Sequence, residues 1–143
     1  MLQIRNMKRV TALGGVFFKC KNPDAQKEWY AKHLGLGMDK YGTSFEWRHS
    51  DEKEKKGFSV WSPFENETDY FGDASQQYMI NYRVDDLEAL VKQLKEEGVT
   101  ILDQMEIYEY GKFIHILDGE GNKVELWEAN DEVYEKMANA VTK

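Results

Sequence analysis

The chain has 143 residues, of which 41% are hydrophobic and 13% aromatic, and its formal net charge is −7. This length and composition indicate one globular domain with a substantial core, and they exclude a disordered tail. The acidic balance and the lack of a basic cluster argue against nucleic-acid binding, so we expect no nucleic-acid partner.

The first half of the chain predicts a strand, a helix and three short strands. Residues 10–21 are rich in strand-forming residues around a double glycine. Asn22 followed by Pro23 is typical of a helix start, and Gly35 is placed to end that helix. Three short strands follow, at residues 38–41, 43–48 and 58–62.

The same pattern begins again after a polar link at about residues 65–77. The alternating residues 78–84 predict a strand, Asp86 caps an amphipathic helix, and Gly98 ends that helix. Further strands are predicted at residues 99–101, 113–117 and 123–127, and a last helix at residues 130–142. A strand-helix-strand-strand-strand unit therefore appears twice, and such internal repetition is a strong signal of fold.

The single cysteine, Cys20, excludes an intrachain disulfide and favours a reducing compartment. The N-terminus lacks the pattern of a signal peptide, and no apolar stretch has the length of a membrane span. We therefore expect a cytoplasmic protein without a membrane partner.

Three stretches carry a resemblance to a known family. They are NPDAQKEWYAKHLGLG in the first half, and VDDLEALVKQLKEEGV with YGKFIHILDGEGNKVELWE in the second. Through them the sequence resembles the vicinal-oxygen-chelate superfamily, which includes glyoxalase I, bleomycin-resistance proteins and extradiol dioxygenases. One departure lies in the last stretch, where Gly119 follows Asp118 in place of the family's proline.

The resemblance implies an α+β fold built from two βαβββ modules, at about residues 8–64 and 77–129, with a C-terminal helix at 130–142. Eight strands would form a curved, partly closed mixed sheet around a cavity, with the helices outside. Residues 1–143 would then be a single glyoxalase-like domain. Relatives of this size pair as homodimers, so the resemblance also implies a homodimer.

In relatives that hold a metal, the ligands come from the first and last strands of each module. Those positions fall at Gly15, Ser59, Met79 and Glu125, of which Glu125 alone is a usual ligand. A divalent cation takes three or four donors from His, Cys, Asp or Glu. The sequence therefore predicts no bound metal and no other cofactor, with a divalent ion as the disfavoured alternative.

Glu125 lies in an otherwise apolar strand, where a carboxylate is costly unless it is paired. If residues 118–122 form a hairpin loop, Glu125 faces His115 across the two strands. The carboxylate would raise the pKa of the histidine, which makes Glu125 and His115 candidate catalytic residues, with Tyr110 as a third. The alternative is that the pair satisfies itself and performs no chemistry.

The remaining candidates are residues that strand alternation places on the cavity face. As ligand-binding residues these are Phe17, Glu46, Ser59, Trp61, Met79, Asn81, Arg83, Phe113 and Trp127. Aromatic side chains with a few polar groups are typical of a small-molecule site. Trp61 and Trp127 fit core or dimer contacts equally well, and Arg83 fits either an anion site or a solvated surface.

Two functions follow from this sequence. The first is a small-molecule enzyme, lyase- or isomerase-like, in which Glu125 and His115 move a proton and Tyr110 or Asn81 steadies an oxyanion. The second is a non-catalytic binder that sequesters an aromatic or antibiotic-like compound, as resistance proteins do. The fold alone does not choose between them, because one scaffold hosts many reactions.

Overall fold

A computed structural model describes residues 8–143. Residues 1–7, which belong to the N-terminus in which the sequence shows no signal-peptide pattern, lie outside the described range. The elements in chain order are β1 (Val10–Cys20), α1 (Pro23–Leu34), β2 (Thr43–Arg48), β3 (Lys56–Glu65), β4 (Tyr78–Val84), α2 (Leu87–Glu96), β5 (Glu106–Tyr108), β6 (Gly111–Leu117), β7 (Lys123–Ala129), α3 (Asp131–Met137) and β8 (Val141–Thr142). None of these helices has the length and apolar character that a membrane crossing requires.

The eight strands form one mixed sheet in the order β5-β6-β7-β4-β1-β3-β2-β8. At its centre β1 and β4 pair antiparallel, and each also pairs in parallel with a later strand of its own module, β3 or β7. The sheet stays open at β5 and β8. The predicted α+β fold with an eight-stranded mixed sheet is confirmed.

Local sequence signals explain where α1 and α2 begin. The side chain of Asn22 accepts a hydrogen bond from the backbone N–H of Ala25 at 3.0 Å, and Asp86 does the same for Ala89 at 3.1 Å. Each cap satisfies one of the free N–H groups of a first helical turn. Helix α1 ends at Gly35, whose φ of 72° is a conformation that glycine adopts without steric cost.

The main core lies between α2 and the second module's strands. Leu87, Leu90 and Val91 of α2 are buried against a face of the sheet that includes Ile114 and Leu126. Because side chains alternate along a strand, this packing turns the neighbouring residues of β6 and β7 towards the opposite, concave face. By contrast, α1 contributes no fully buried residue.

The structure differs from the sequence-based elements at four places, and the first is β5 (Glu106–Tyr108), a strand that the sequence did not predict. Residues 38–41 form no strand, and Ile101 makes just an isolated bridge to Ile116 in place of the strand predicted at 99–101. The C-terminal helix ends at Met137, and β8 follows it and pairs with β2. The eighth strand thus comes from the C-terminal tail and not from the first module, because an edge strand is free to take any extended segment that reaches it.

Candidate functional site

The β6–β7 hairpin places His115 directly opposite Glu125, which confirms the predicted register. Both residues are buried on the concave face, each with 2% of its surface exposed. The Nε2 atom of His115 lies 2.8 Å from Oε2 of Glu125. The apolar residues on either side of them along β6 and β7 face α2. A shift of the register by one residue would therefore turn both polar side chains into the core.

Asp103 holds the other side of the His115 ring. Its Oδ2 atom lies 2.6 Å from Nδ1 of His115, and its Oδ1 accepts a hydrogen bond from the backbone N–H of the same residue at 2.9 Å. Burial by itself lowers the pKa of His115, but the hydrogen bonds to Glu125 and Asp103 outweigh it, so the pKa is raised. A ring that faces a carboxylate at both nitrogens donates to both when it is an imidazolium.

Glu125 accepts two further hydrogen bonds. The hydroxyl of Tyr70 donates to Oε2, and the amide of Asn81 donates to Oε1 at 2.6 Å. With His115, three side chains therefore hydrogen-bond to the carboxylate of Glu125 and fix its orientation. Burial, and then the negative charge of Glu125, raises the pKa of Tyr70, so its hydroxyl keeps the proton that it donates.

A cavity of about 370 Å³ opens over Glu125. It is lined by residues from both modules and from the link between them, which are Phe17, Phe64, Tyr70, Glu106, Tyr108, Tyr110, Phe113 and Glu125. Phe64 stacks on Tyr70 with ring centroids 5.7 Å apart, and Tyr108 stacks on Tyr110 at 5.2 Å. The site is therefore an aromatic chamber with one buried carboxylate at its floor and a second, Glu106, at its exposed side.

The structure brings several of the sequence-predicted residues together here. Glu125, Tyr110, Phe17 and Phe113 line the cavity. His115 and Asn81 lie behind Glu125 and hydrogen-bond to it, and Met79 is fully buried beside them, opposite Phe17 in the sheet.

Three other predicted residues lie elsewhere. Trp61 packs at a tilt against the ring of Tyr30 in α1, because alternation along β3 turns it away from the cavity. Ser59 accepts a hydrogen bond from the indole N–H of Trp47 at 2.9 Å. Glu46 forms an ion pair with Arg48 at 2.8 Å, far along the sheet in β2. These placements correct the ligand-binding set that parity predicted.

Arg83 and Trp127 are also separate from the cavity, because α3 covers them. Two nitrogens of Arg83 lie 2.8 and 2.6 Å from the two carboxylate oxygens of Asp131, the first residue of α3. Trp127 packs edge-on against Tyr134 of the same helix. Arg83 is thus neither an anion site nor a solvated charge, and Trp127 is a core residue.

Five residues of the site were missed by sequence reasoning, namely Phe64, Tyr70, Asp103, Glu106 and Tyr108. Tyr70 lies in a link that shows no periodicity, and Asp103 lies in a loop, so neither belongs to a strand whose alternation can be read. A signal did exist for two of them. Glu106, Tyr108 and Tyr110 recur at every second residue, which is the spacing of one face of a strand.

The strand pairing also places the positions that hold a metal in relatives. Val16 and Ile80 pair across β1 and β4 at the centre of the sheet. Phe17 and Asn81 are the next residues along the two strands, so they are counterparts in the two modules. Phe17 pairs with Ser62, and Asn81 pairs with Glu125. Ser62 is therefore the counterpart of Glu125, which corrects the predicted position, Ser59.

These positions do not fit a divalent metal. Gly15, Ser62 and Met79 supply no carboxylate, imidazole or thiolate, and both oxygens of Glu125 already accept hydrogen bonds. Both ring nitrogens of His115 face carboxylates. Within residues 8–143, no group of three or more His, Cys, Asp or Glu is arranged to hold an ion.

Comparison with known proteins gives one match to a family. The model of the Glyoxalase/Bleomycin resistance protein/Dioxygenase superfamily matches residues 13–126, which is most of the chain. No curated protein sequence matches.

Several solved structures share the fold. Methylmalonyl-CoA epimerase from Mycobacterium tuberculosis has a TM-score of 0.61 at 19% identity, over 90% of this chain and 94% of that one. A variant of the Streptomyces coelicolor epimerase, in complex with 2-nitronate-propionyl-CoA, has a TM-score of 0.63 at 16% identity, over 85% and 99%. The Mn(II)-bound glyoxalase from Novosphingobium aromaticivorans has a TM-score of 0.57 at 18% identity, over 85% and 40%. At such identities the likeness shows the fold and leaves the reaction open.

Proposed function

The chain belongs to the glyoxalase/bleomycin resistance protein/dioxygenase superfamily, and we propose that its cavity binds a small organic molecule on which Glu125 moves a proton without a bound metal. Members of this superfamily act on small molecules. A volume of about 370 Å³ and a mainly aromatic lining are within the usual range for such a site.

One observation supports proton transfer in particular. Glu125 lines the cavity, His115 joins it to Asp103, and the side chain of Asp103 is 37% exposed. This row of three groups leads from the ligand chamber to solvent. A proton taken from a ligand at Glu125 therefore has a route of hydrogen bonds by which it exchanges with water.

The proposed step is proton abstraction from a carbon next to a carbonyl group. Glu125 accepts the proton, and the electron pair of the C–H bond moves onto the carbonyl oxygen of the ligand. Burial, with the charges of Glu106 and Glu125, raises the pKa of Tyr110, so its hydroxyl stays protonated and is a suitable donor to that oxygen. Return of a proton to either face of the same carbon, as the electron pair moves back from the oxygen, restores the carbonyl group and completes an isomerase-type reaction.

His115 acts through Glu125 in this proposal. Its ring is 2% exposed and is absent from the cavity lining, so it orients the carboxylate and shares a proton with it. Asn81 likewise donates to Glu125 from behind and is a positioning residue. Pairing into a homodimer and a cytoplasmic location remain predictions that rest on the resemblance and on the cysteine content.

The substrate named for the epimerases does not carry over to this chain. Methylmalonyl-CoA bears a carboxylate and phosphates, which basic side chains recognise. In the described part of the chain, the cavity lining holds two carboxylates and no basic residue. An anionic acyl-CoA is therefore disfavoured here.

A second candidate function, a non-catalytic binder, has its own supporting observation. Three side chains already hydrogen-bond to the carboxylate of Glu125, which leaves it fewer lone pairs with which to take a proton from a ligand. In that case Glu125 serves as a fixed counter-charge, and the aromatic rings sequester the ligand.

Hydrogen–deuterium exchange separates the two candidates. The protein is incubated in D₂O with phenylacetone, whose CH₂ group lies between a ring and a carbonyl, and loss of the CH₂ signal is followed by NMR. We expect wild-type protein to catalyse the exchange and Glu125→Gln to reduce it about a hundredfold or more while the affinity for phenylacetone changes little. Glu120→Gln, an exposed change in the β6–β7 turn, is the matched control.

The outcomes are distinct. Saturable binding of phenylacetone without exchange supports the binder. Metal analysis of the same sample adds a further check, because exchange that depends on a stoichiometric divalent ion would contradict the metal-free mechanism. Absence of both binding and exchange would count against the cavity as the functional site.

A further inference from the structure

We propose that the ligand of this cavity carries a positively charged nitrogen, held between the two carboxylates Glu106 and Glu125 and the surrounding aromatic rings. The inference rests on the proposed function of the cavity and adds the chemical class of its ligand. Aromatic side chains combined with carboxylates are the composition that recognises ammonium groups in proteins.

The rings of β5 and β6 form one wall of the chamber. Tyr108 and Tyr110 stack with centroids 5.2 Å apart and planes 2° from parallel. Phe113 meets them edge-on, at 6.1 and 5.7 Å. An aromatic ring carries partial negative charge on its faces, so a cation that lies over a face left free by this stacking is attracted to it.

The two carboxylates lie at different depths. Glu125 is at the floor, where Tyr70, Asn81 and His115 hydrogen-bond to it. Glu106 is exposed on β5, and its Oε2 accepts a hydrogen bond from Tyr108 at 2.5 Å. Among the described residues its Oε1 atom has no hydrogen-bond partner, which leaves that oxygen free for a ligand.

The electrostatics of the chamber agree with this geometry. Burial is the first cause of the raised pKa of Tyr110, and the negative charges of Glu106 and Glu125 add to it. His115 is the nearest cation to the floor, but it lies behind Glu125 and is matched by Asp103. An imidazolium ring at this position faces two carboxylates, Glu125 and Asp103, so the group of three keeps a net negative charge.

A contact within the chain shows that another ring of the cavity lining, Tyr70, accepts an ammonium group. The Nζ atom of Lys123 lies 5.1 Å from the ring centroid of Tyr70. The same nitrogen donates a hydrogen bond to the backbone oxygen of Tyr70 at 2.7 Å. The cavity thus lies beside an existing cation–π contact, in a chain whose net charge is −7.

Three probes with a common phenyl group test the inference. Binding of benzyltrimethylammonium, benzyl alcohol and phenylacetate to the full chain is measured by isothermal titration calorimetry at low and at high salt. We expect the cation to bind about tenfold more tightly than the alcohol, with phenylacetate the weakest. Added salt should reduce the preference for the cation, because its attraction to exposed Glu106 is screened.

Two variants of equal net charge localise the effect. Glu106→Gln should weaken binding of the cation by about three- to tenfold and leave the affinity for benzyl alcohol unchanged. Glu109→Gln, an exposed change in the adjoining β5–β6 turn that does not line the cavity, should leave the binding of both probes unchanged. Because the two variants lose the same charge, a difference between them excludes a general attraction of cations to an acidic protein.

The result decides both claims separately. Equal binding of the three probes, or identical behaviour of the two variants, would overturn the cation inference and leave the binding cavity standing. Tighter binding of phenylacetate would overturn it as well. If none of the probes shows saturable binding, the cation inference and the proposed function of the cavity both fail.

Discussion

The imidazole of His115 and the carboxylate of Glu125 form a pair that is shut off from solvent. Their Nε2 and Oε2 atoms are 2.8 Å apart, and their side chains are 2% and 3% exposed. A charge buried in this way is stable as long as its partner carries the opposite charge. The protonation of His115 is therefore coupled to the stability of the whole fold.

Stability should depend on pH through His115. Since the folded pKa of His115 is raised above its unfolded value of about 6.5, the stabilisation is fully present below pH about 6.5 and is lost as pH rises through the folded pKa. We expect His115→Gln to lower the free energy of unfolding by roughly 2 kcal/mol at pH 6, and by less at higher pH. Urea unfolding of both proteins across this range measures the difference.

The control for that experiment is His33→Gln, an exposed histidine in the last turn of α1. Its effect on the free energy of unfolding should be small, because the side chain is exposed. A stability difference for His115→Gln that stayed constant, or that grew as pH rose, would contradict the charge pairing described above.

Asp103→Asn should lower the pKa of His115. Of the two carboxylates that face the ring, Asp103 is the more exposed, at 37% of its side chain, so its removal leaves the packing at the cavity floor intact. The ring then keeps one charged partner in place of two, which weakens the imidazolium. NMR titration of the three histidines checks this, with His115→Gln used to assign the signal. An unchanged or higher pKa would mean that Asp103 does not stabilise the charge.

Arg83→Met should destabilise the protein strongly and leave ligand affinity unchanged. The side chains of Arg83 and Asp131 are 6% and 10% exposed, and removing one partner of a buried ion pair costs about 3–5 kcal/mol. The double variant Arg83→Met/Asp131→Leu should recover much of the loss, because neither charge is then left alone. Denaturant midpoints measure stability. A large loss of ligand binding in folded Arg83→Met would contradict this prediction and show that Arg83 contributes to the ligand site.

Arg83 also shows where sequence reasoning stops. Its partner Asp131 lies 48 positions later, in a helix outside the matched family region, and no local pattern connects them. The same limit applies to Tyr70, which the link between the modules brings to Glu125 across 55 positions. Contacts made by loops and tails depend on the tertiary fold and leave no periodic signal.

Residues on paired strands were more accessible to prediction. The apolar alternation of β6 and β7 fixes one register, so the pairing of His115 with Glu125 followed from the sequence alone. The helix starts at Asn22 and Asp86 followed from cap chemistry. Trp61 was misplaced by the same method, because parity along β3 was counted from Ser59 without the strand register that fixes which face each residue occupies.

Gly14→Ala, a change in β1, should disturb the cavity floor through Asn81 on the neighbouring strand β4. A Cβ atom at position 14 would lie 1.9 Å from Oδ1 of Asn81, whose buried amide has little room to move and donates to Glu125. We expect a loss of about 1–3 kcal/mol in the free energy of unfolding and a changed titration of His115, because Glu125 loses or reorients one of its donors. Gly119→Ala, where an added Cβ has no atom within 4 Å, should be nearly neutral. If Gly14→Ala matched Gly119→Ala in both measurements, Asn81 would not be held between Gly14 and Glu125 as the structure has it.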